Sequence, residues 1–204
     1  MKKFSEWLCE NTGFTSQTLY QEMAIQSPSA LEKIKKSFEF VKRNNINCVL
    51  VGGMAVAHYT SRAITPDVDF LCPDIESVKT AASKENLKFK PVIYPELNQI
   101  GGIQIVDFDA DFLDAKKANS EVNLKILSNA LPAKIGGFNV LVADPATLTI
   151  QKFATGRNKD LDDAFKLLPL VDKSILKSTL KSVKDNLGNQ IDAKTIWSYA
   201  ISLA

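Results

Sequence analysis

Several common readings fail because the residues they need are scarce. The chain of 204 residues has one histidine, His58. Its three cysteines, Cys9, Cys48 and Cys72, stand far apart and form no Cys-x-x-Cys pair. A zinc site of Cys and His therefore lacks a ligand set, and no disulfide framework is required. The cysteines read as reduced thiols of a cytoplasmic protein. A Ser-His-Asp mechanism would rest entirely on His58, whose neighbours Ala57 and Tyr59 form no nucleophile elbow. Long apolar runs are missing too: stretches such as Cys48 to Val51 fall far short of the about 20 residues that span a bilayer. No membrane association is expected, and the polar start Met1-Lys2-Lys3-Phe4-Ser5-Glu6-Trp7 is unlike a secretory leader. Neither sign of charge dominates. The 25 Lys and Arg against 23 Asp and Glu leave +2, which neither demands nor excludes nucleic acid.

What is present is the composition of a folded protein, 45% hydrophobic and 24% charged. The length suits one large domain, or a medium one with a small helical partner. The first 45 residues read as helical, with Leu31, Ile34, Phe38 and Val41 on one face of a helix that Asn44-Asn45 ends. Strands are expected at Cys48 to Val51, Val68 to Cys72, Phe89 to Tyr94 and Phe138 to Val142, with one long extended run from Ile103 to Leu113. Helices are expected from Met54 to Tyr59, Ser77 to Glu85 and Val122 to Leu127. Asp144-Pro145 supplies a cap and a first-turn proline, after which the chain reads as helical to its end, with breaks near Gly156, Pro169 and Gly188. The fold class is thus α+β: N-terminal helices over 1–45, an α/β core over 46–143 and a C-terminal helical domain over 144–204. Trp7, Trp197 and most phenylalanines read as core, His58 and Tyr59 as packing residues. Phe153 and Phe165 could stack a base, with core packing the plainer reading.

One stretch carries chemistry. Val51-Gly52-Gly53-Met54-Ala55 ends a strand on two glycines and starts a helix. A backbone without Cβ atoms lets a ligand come close, and free N–H groups at a helix start favour phosphate. Further on, Arg62-Ala63-Ile64-Thr65-Pro66-Asp67-Val68-Asp69-Phe70 places Asp67 and Asp69 two apart on a strand, on one face. Two such carboxylates repel unless a cation neutralises them, and a hard divalent ion, Mg²⁺ or Mn²⁺, suits oxygen ligands. A phosphate cradle beside a two-carboxylate site implies phosphoryl-group chemistry.

This order of residues resembles the nucleotidyltransferase superfamily, whose signature runs hydrophobic, Gly, Gly or Ser, a gap, then acid, hydrophobic, acid, hydrophobic. Here it reads Val51, Gly52, Gly53, thirteen intervening residues, then Asp67, Val68, Asp69, Phe70. Within the superfamily the chain resembles the AbiEii-type toxin branch of bacterial type IV toxin–antitoxin systems. The likeness lies in Gly52, Gly53, Ala55, Arg62, Thr65, Asp67 and Asp69, and in a late block, Lys152-Phe153-Ala154-Thr155-Gly156-Arg157-Asn158-Lys159-Asp160-Leu161-Asp162-Asp163, with one residue fewer between Ala154 and Arg157.

The resemblance implies a mixed sheet flanked by helices and a third acid on a later strand. Asp107, Asp109 and Asp111 are candidates that would alternate on one strand face, with Asp111 favoured and Asp109 its alternative. It also implies metal bound by Asp67, Asp69 and Asp111, and a triphosphate held by Gly52 and Gly53. Arg62 would contact phosphate or orient Asp67 or Asp69. Lys152, Arg157 and Lys159 would clamp the β- and γ-phosphates. For Lys159 an equal reading is pairing with Asp160 and Asp163 at the next helix start, and Asp160 is a possible late functional acid. From Lys152 to Lys184, eight Lys or Arg face four Asp, a possible acceptor platform or a solvated surface. The implied partners are an NTP, an RNA or tRNA 3′-end or a protein hydroxyl as acceptor, and a cognate antitoxin. A non-catalytic protein of the same fold is the first rival. A Rossmann-type dinucleotide binder is the second, weakened because its glycines would be spaced and Ala57 stands where a third is needed.

Overall fold

The computed structural model describes residues 28–60, 65, 67–94, 99–117, 120–155, 157–183, 196, 198 and 201. Trp7, Cys9, Arg62, Gly188 and Trp197 lie outside them.

The described chain opens with α1 (Pro28–Arg43). Ile34, Phe38 and Phe40 are buried, and Asn45 ends the helix in a left-handed conformation at φ 50°. The amide of Ile46 closes that end on the carbonyl of Val41. The apolar run then forms β1 (Val49–Val51), and the glycines open α2 (Gly52–Tyr59) directly behind it. Next come β2 (Val68–Cys72), α3 (Ile75–Lys84), β3 (Phe89–Tyr94), β4 (Gln99–Ile105), β5 (Ala110–Asp114) and α4 (Ser120–Asn129). The hairpin β6 (Leu131–Ile135) and β7 (Phe138–Val142) turns on Gly136 and Gly137, both at positive φ. Then come α5 (Pro145–Thr155), α6 (Asn158–Leu167), a 3-10 turn (Leu168–Leu170) and α7 (Lys173–Val183). Asp144 caps α5 by accepting from the amides of Ala146 at 3.0 Å and Thr147 at 3.2 Å.

The fold is α+β, built on one seven-stranded sheet in the order β3-β4-β5-β2-β1-β7-β6. The sheet is mixed: β2–β5 and β1–β7 are parallel and the other pairs antiparallel. The edge strands β3 and β6 each carry a proline, Pro91 and Pro132. Alternation splits the central strands into two faces. Phe70 and Phe112 lie on one, covered by α1 through Phe38 against Phe70 (5.7 Å between ring centres) and Phe40 against Phe112 (5.8 Å). Asp69 and Asp111 lie on the other. Buried side chains of α5, α6 and α7, among them Leu148, Phe153, Leu167 and Leu176, are continuous with those of the sheet.

Two expectations are corrected. The run from Ile103 to Leu113 is not one strand but β4, a turn and β5, because Asp109 adopts φ 57° and reverses the chain. Asp107 and Asp109 therefore stand in that turn and do not share a strand face with Asp111. The strand β6, an exposed edge with a proline and no clean alternation, was not expected at all. Phe153 is buried and Phe165 packs against it edge-on at 5.6 Å.

Candidate active site

The register of the sheet sets the site. Asp69 of β2 faces Asp111 of β5, Asp111 faces Gln104 of β4, and Gln104 faces Lys90 of β3. These four form a row across four strands, with the two acids at the end nearest β1. Val51, the last residue of β1, is the neighbour of Asp69 on the other side. Gly52 follows it at φ 66°, and a Cβ there would come 1.8 Å from Asp69 Oδ2. The Asp69 carboxylate thus occupies the space that any side chain at Gly52 would need.

The electrostatics are those of crowded like charges. Burial pushes the Asp69 carboxyl up to about 6, with the Asp111 carboxylate adding to the shift and Lys152 opposing it. The Asp111 carboxyl is also raised, first by burial, against a hydrogen bond from Gln104 and the charge of Lys90. Asp111 Oδ1 is buried with no hydrogen-bond partner. A buried carboxylate oxygen left unpaired is costly. Its residue stands opposite a second carboxylate, Asp69, which itself lies against the Gly52 backbone, and such a carboxylate pair fits a hard divalent cation.

Asp67 is exposed on the segment that enters β2, and its charge is felt at both Asp69 and Asp111. Among the described residues no three His, Cys, Asp or Glu side chains form a group that could hold a metal ion. The arrangement is therefore a carboxylate pair with a third acid at its rim. Mg²⁺ commonly takes one or two carboxylates and completes its shell with substrate phosphates and water, so such a pair suits it. Asp109 is engaged elsewhere, in an ion pair with Lys33 at 3.3 Å. Asp107 accepts the amide of Lys88 at 2.8 Å. Gly53 sits in the first turn of α2, half-buried.

The late basic block gathers near Asp69 in an unexpected form. Lys152 is buried and its Nζ lies 2.7 Å from Asp160 Oδ1 and 3.1 Å from Asp163 Oδ2. Arg157, more than half exposed, reaches the other oxygen of Asp160 through Nε. Burial alone would raise the Asp160 carboxyl, but the hydrogen bonds from Arg157 and Lys152 outweigh it and hold it below the usual carboxylate range. Lys152 is thus bound to two acids of α6, and Arg157 presents the rest of its guanidinium outward. Lys159 is exposed in the first turn of α6. His58 and Tyr59 pack against each other at 4.8 Å, and burial lowers the imidazole and raises the phenol.

Sequence reading missed two residues of the row, Gln104 and Lys90, and also Tyr94, whose phenol feels Asp69 and Asp111. Nothing in their spacing marks them, since only cross-strand register sets Gln104 opposite Asp111 and Lys90 opposite Gln104, and a register slip seats Tyr94 over Gly101.

No protein-family description and no curated protein matches the chain. Among solved structures it is similar to that of an antigenic nucleotidyltransferase-like protein from Paracoccidioides brasiliensis. The TM-score is 0.49 at 15% identity, covering 84% of this chain and 98% of that one. No helix among the described residues is long and apolar enough to cross a membrane.

Proposed function

We propose that this chain is a metal-dependent nucleotidyltransferase, moving a nucleoside monophosphate from an NTP to an acceptor hydroxyl. One observation carries the reading: Asp69 and Asp111 face each other with an unpartnered buried oxygen, directly beside a glycine whose missing side chain leaves the Asp69 carboxylate its space. The motif of Gly52, Gly53, Asp67 and Asp69 agrees with it.

Asp69 and Asp111 would hold Mg²⁺ or Mn²⁺, with Asp67 at the rim. The ion's contribution when bound is to neutralise negative charge on the phosphates. Gly52 and Gly53, with the first-turn amides of α2, face the polyphosphate. Arg157, more than half exposed, offers its terminal guanidinium nitrogens to the leaving pyrophosphate, and Asp160 fixes its orientation through Nε. Lys152 acts from behind, its charge easing the proximity of Asp69. Lys159 and Arg62 are proposed as outer phosphate contacts. In the transfer the acceptor oxygen bonds to the α-phosphorus as the bond to the β-phosphate oxygen breaks. Pyrophosphate leaves, and the acceptor's proton passes to the carboxylate of Asp111.

The likeness of both sequence blocks to AbiEii-type toxins extends the proposal to a toxin of a toxin–antitoxin pair. Its acceptor would be an RNA 3′-end, tRNA in particular, or a protein Ser, Thr or Tyr, and a cognate antitoxin would restrain it. A second reading, a non-catalytic nucleotide- or partner-binding protein of this fold, is favoured by the lack of a three-acid group among the described residues.

The test is transfer of α-labelled nucleotide from each of the four NTPs, with Mg²⁺, to total RNA and to the protein itself. Transfer by the native protein and its loss in Asp69→Asn support the enzyme. No transfer, with Asp69→Asn binding nucleotide as tightly as the native chain, supports the second reading.

A further inference from the structure

β3 and β4 pair regularly from Phe89 opposite Ile105 to Val92 opposite Gly102, then slip, so that Ile93 faces Ile100 and Tyr94 faces Gln99. Gly101 is the extra residue, a β-bulge. Regular pairing would have set the side chain of Ile100 beside Tyr94. The slip instead pairs Ile100 with Ile93, both exposed, and leaves Gly101 beside the phenol. A Cβ at Gly101 would lie 2.0 Å from Tyr94 Cε2 and 2.4 Å from Cζ, so the ring crosses β4 where only glycine leaves room.

Tyr94 alternates onto the same face of β3 as Lys90, the face of the acidic row. A ring that crosses β4 at Gly101 heads toward β5 at the level of Leu113 and Asp114, on the strand that also carries Asp111. The phenol feels the acids: burial first, then Asp69, Asp111 and Asp114, push it up to about 12 against the opposing charge of Arg157, which keeps the hydroxyl protonated at neutral pH.

The order across the sheet is Gly52 after β1, Asp69 on β2, Asp111 on β5 and the Tyr94 ring over β4. In phosphoryl transfer the attacking and leaving oxygens lie roughly in line, on opposite sides of the phosphorus. With pyrophosphate at the Gly52 end, the attacking group must approach from the β4 side. We propose that Tyr94, admitted by the bulge at Gly101, is the acceptor-side residue of the site, its ring seating the acceptor and its hydroxyl donating a hydrogen bond to it. This rests on the nucleotidyl-transfer reading.

The experiment compares the native chain with Tyr94→Ala, Tyr94→Phe and Gly101→Ala. Binding of each Mg²⁺-NTP is titrated without acceptor, and transfer is then measured to whichever pool, total RNA or protein, the native chain labels. Tyr94→Ala is expected to keep NTP affinity within about twofold and to lose about tenfold or more in kcat/KM for the acceptor. Tyr94→Phe, which keeps the ring, should recover most of that loss. Gly101→Ala should match Tyr94→Ala, and adding it to Tyr94→Ala should cost nothing further. Weakened NTP binding with an unchanged acceptor KM would overturn the assignment, as would unaltered kinetics in Tyr94→Ala. If the native chain neither binds NTP nor transfers label, the nucleotidyl-transfer reading itself falls and the role of Tyr94 with it.

Discussion

Asp69 and Asp111 are directly opposite each other on adjacent parallel strands, and burial opposes the ionisation of both, with the Asp111 carboxylate adding to it at Asp69. The folded protein therefore holds a proton near pH 5 that the unfolded chain has already released. Asp69 at about 6 stands above its ordinary 3.8, so its share of stability is fully present below about pH 4 and is lost as pH rises through 6. The loss by pH 7 is about 3 kcal/mol. Without metal, the melting temperature of the native protein minus that of Asp69→Asn should fall between pH 5 and pH 7.5. Mg²⁺ should raise the melting temperature of the native chain more at pH 7.5 than at pH 5. A difference that stays flat with pH would refute the account.

Gly52→Ala should be severe. Its Cβ would meet the Asp69 carboxylate at 1.8 Å, and φ 66° disfavours any L side chain. A loss of about 1–3 kcal/mol in urea unfolding is expected, together with loss of nucleotide transfer. Part of the stability should return in Gly52→Ala/Asp69→Ala, which removes the clashing carboxylate but leaves the backbone strain.

Lys152→Met would leave Asp160 and Asp163 without their shared buried cation. Removing one partner of a buried ion pair costs about 3–5 kcal/mol, so chemical denaturation should show a large loss. A Lys152 whose main role was to grip a phosphate would instead leave stability untouched and raise the KM for NTP. Asp160→Asn should free Arg157 and raise that KM with a smaller loss of stability.

Asp109→Asn should leave transfer within about twofold of the native rate, because Asp109 pairs with Lys33 in a turn outside the acidic row. Asp111→Asn should lower it by about a hundredfold or more, the scale of losing a group that stabilises the transition state. Parallel assays of the two variants decide which acid completes the site.

The middle of the fold was readable because local signals and tertiary fate agree there. Val68–Cys72, Phe89–Tyr94 and Phe138–Val142 are apolar stretches bounded by turn-forming residues, and each is a strand with those ends. The β4–β5 hairpin escaped because its turn uses Asp107 and Asp109 in place of Gly or Pro, and aspartate tolerates the left-handed conformation without announcing it. For Lys152, the helix was legible but its partners were not. Only the packing of α6 against α5 decides that Asp160 and Asp163 claim the ammonium before any phosphate can. Gln104 meets Asp111 by strand register, and Tyr94 comes within range of the acids' charge across the bulge at Gly101, neither of which any local window contains.

The two prolines at the sheet's outer strands also govern how this protein behaves toward its own kind. Among the described residues the seven-stranded sheet ends at β3 and β6, and an open sheet edge is where a neighbouring chain could dock and begin to polymerise. Pro91 and Pro132 each remove one amide donor from those strands, and Lys90 and Lys134 on the same strands place charge there. Replacing both prolines with threonine would hand each border back a full ladder of donors, and slow fibril growth in concentrated solution is the consequence to look for.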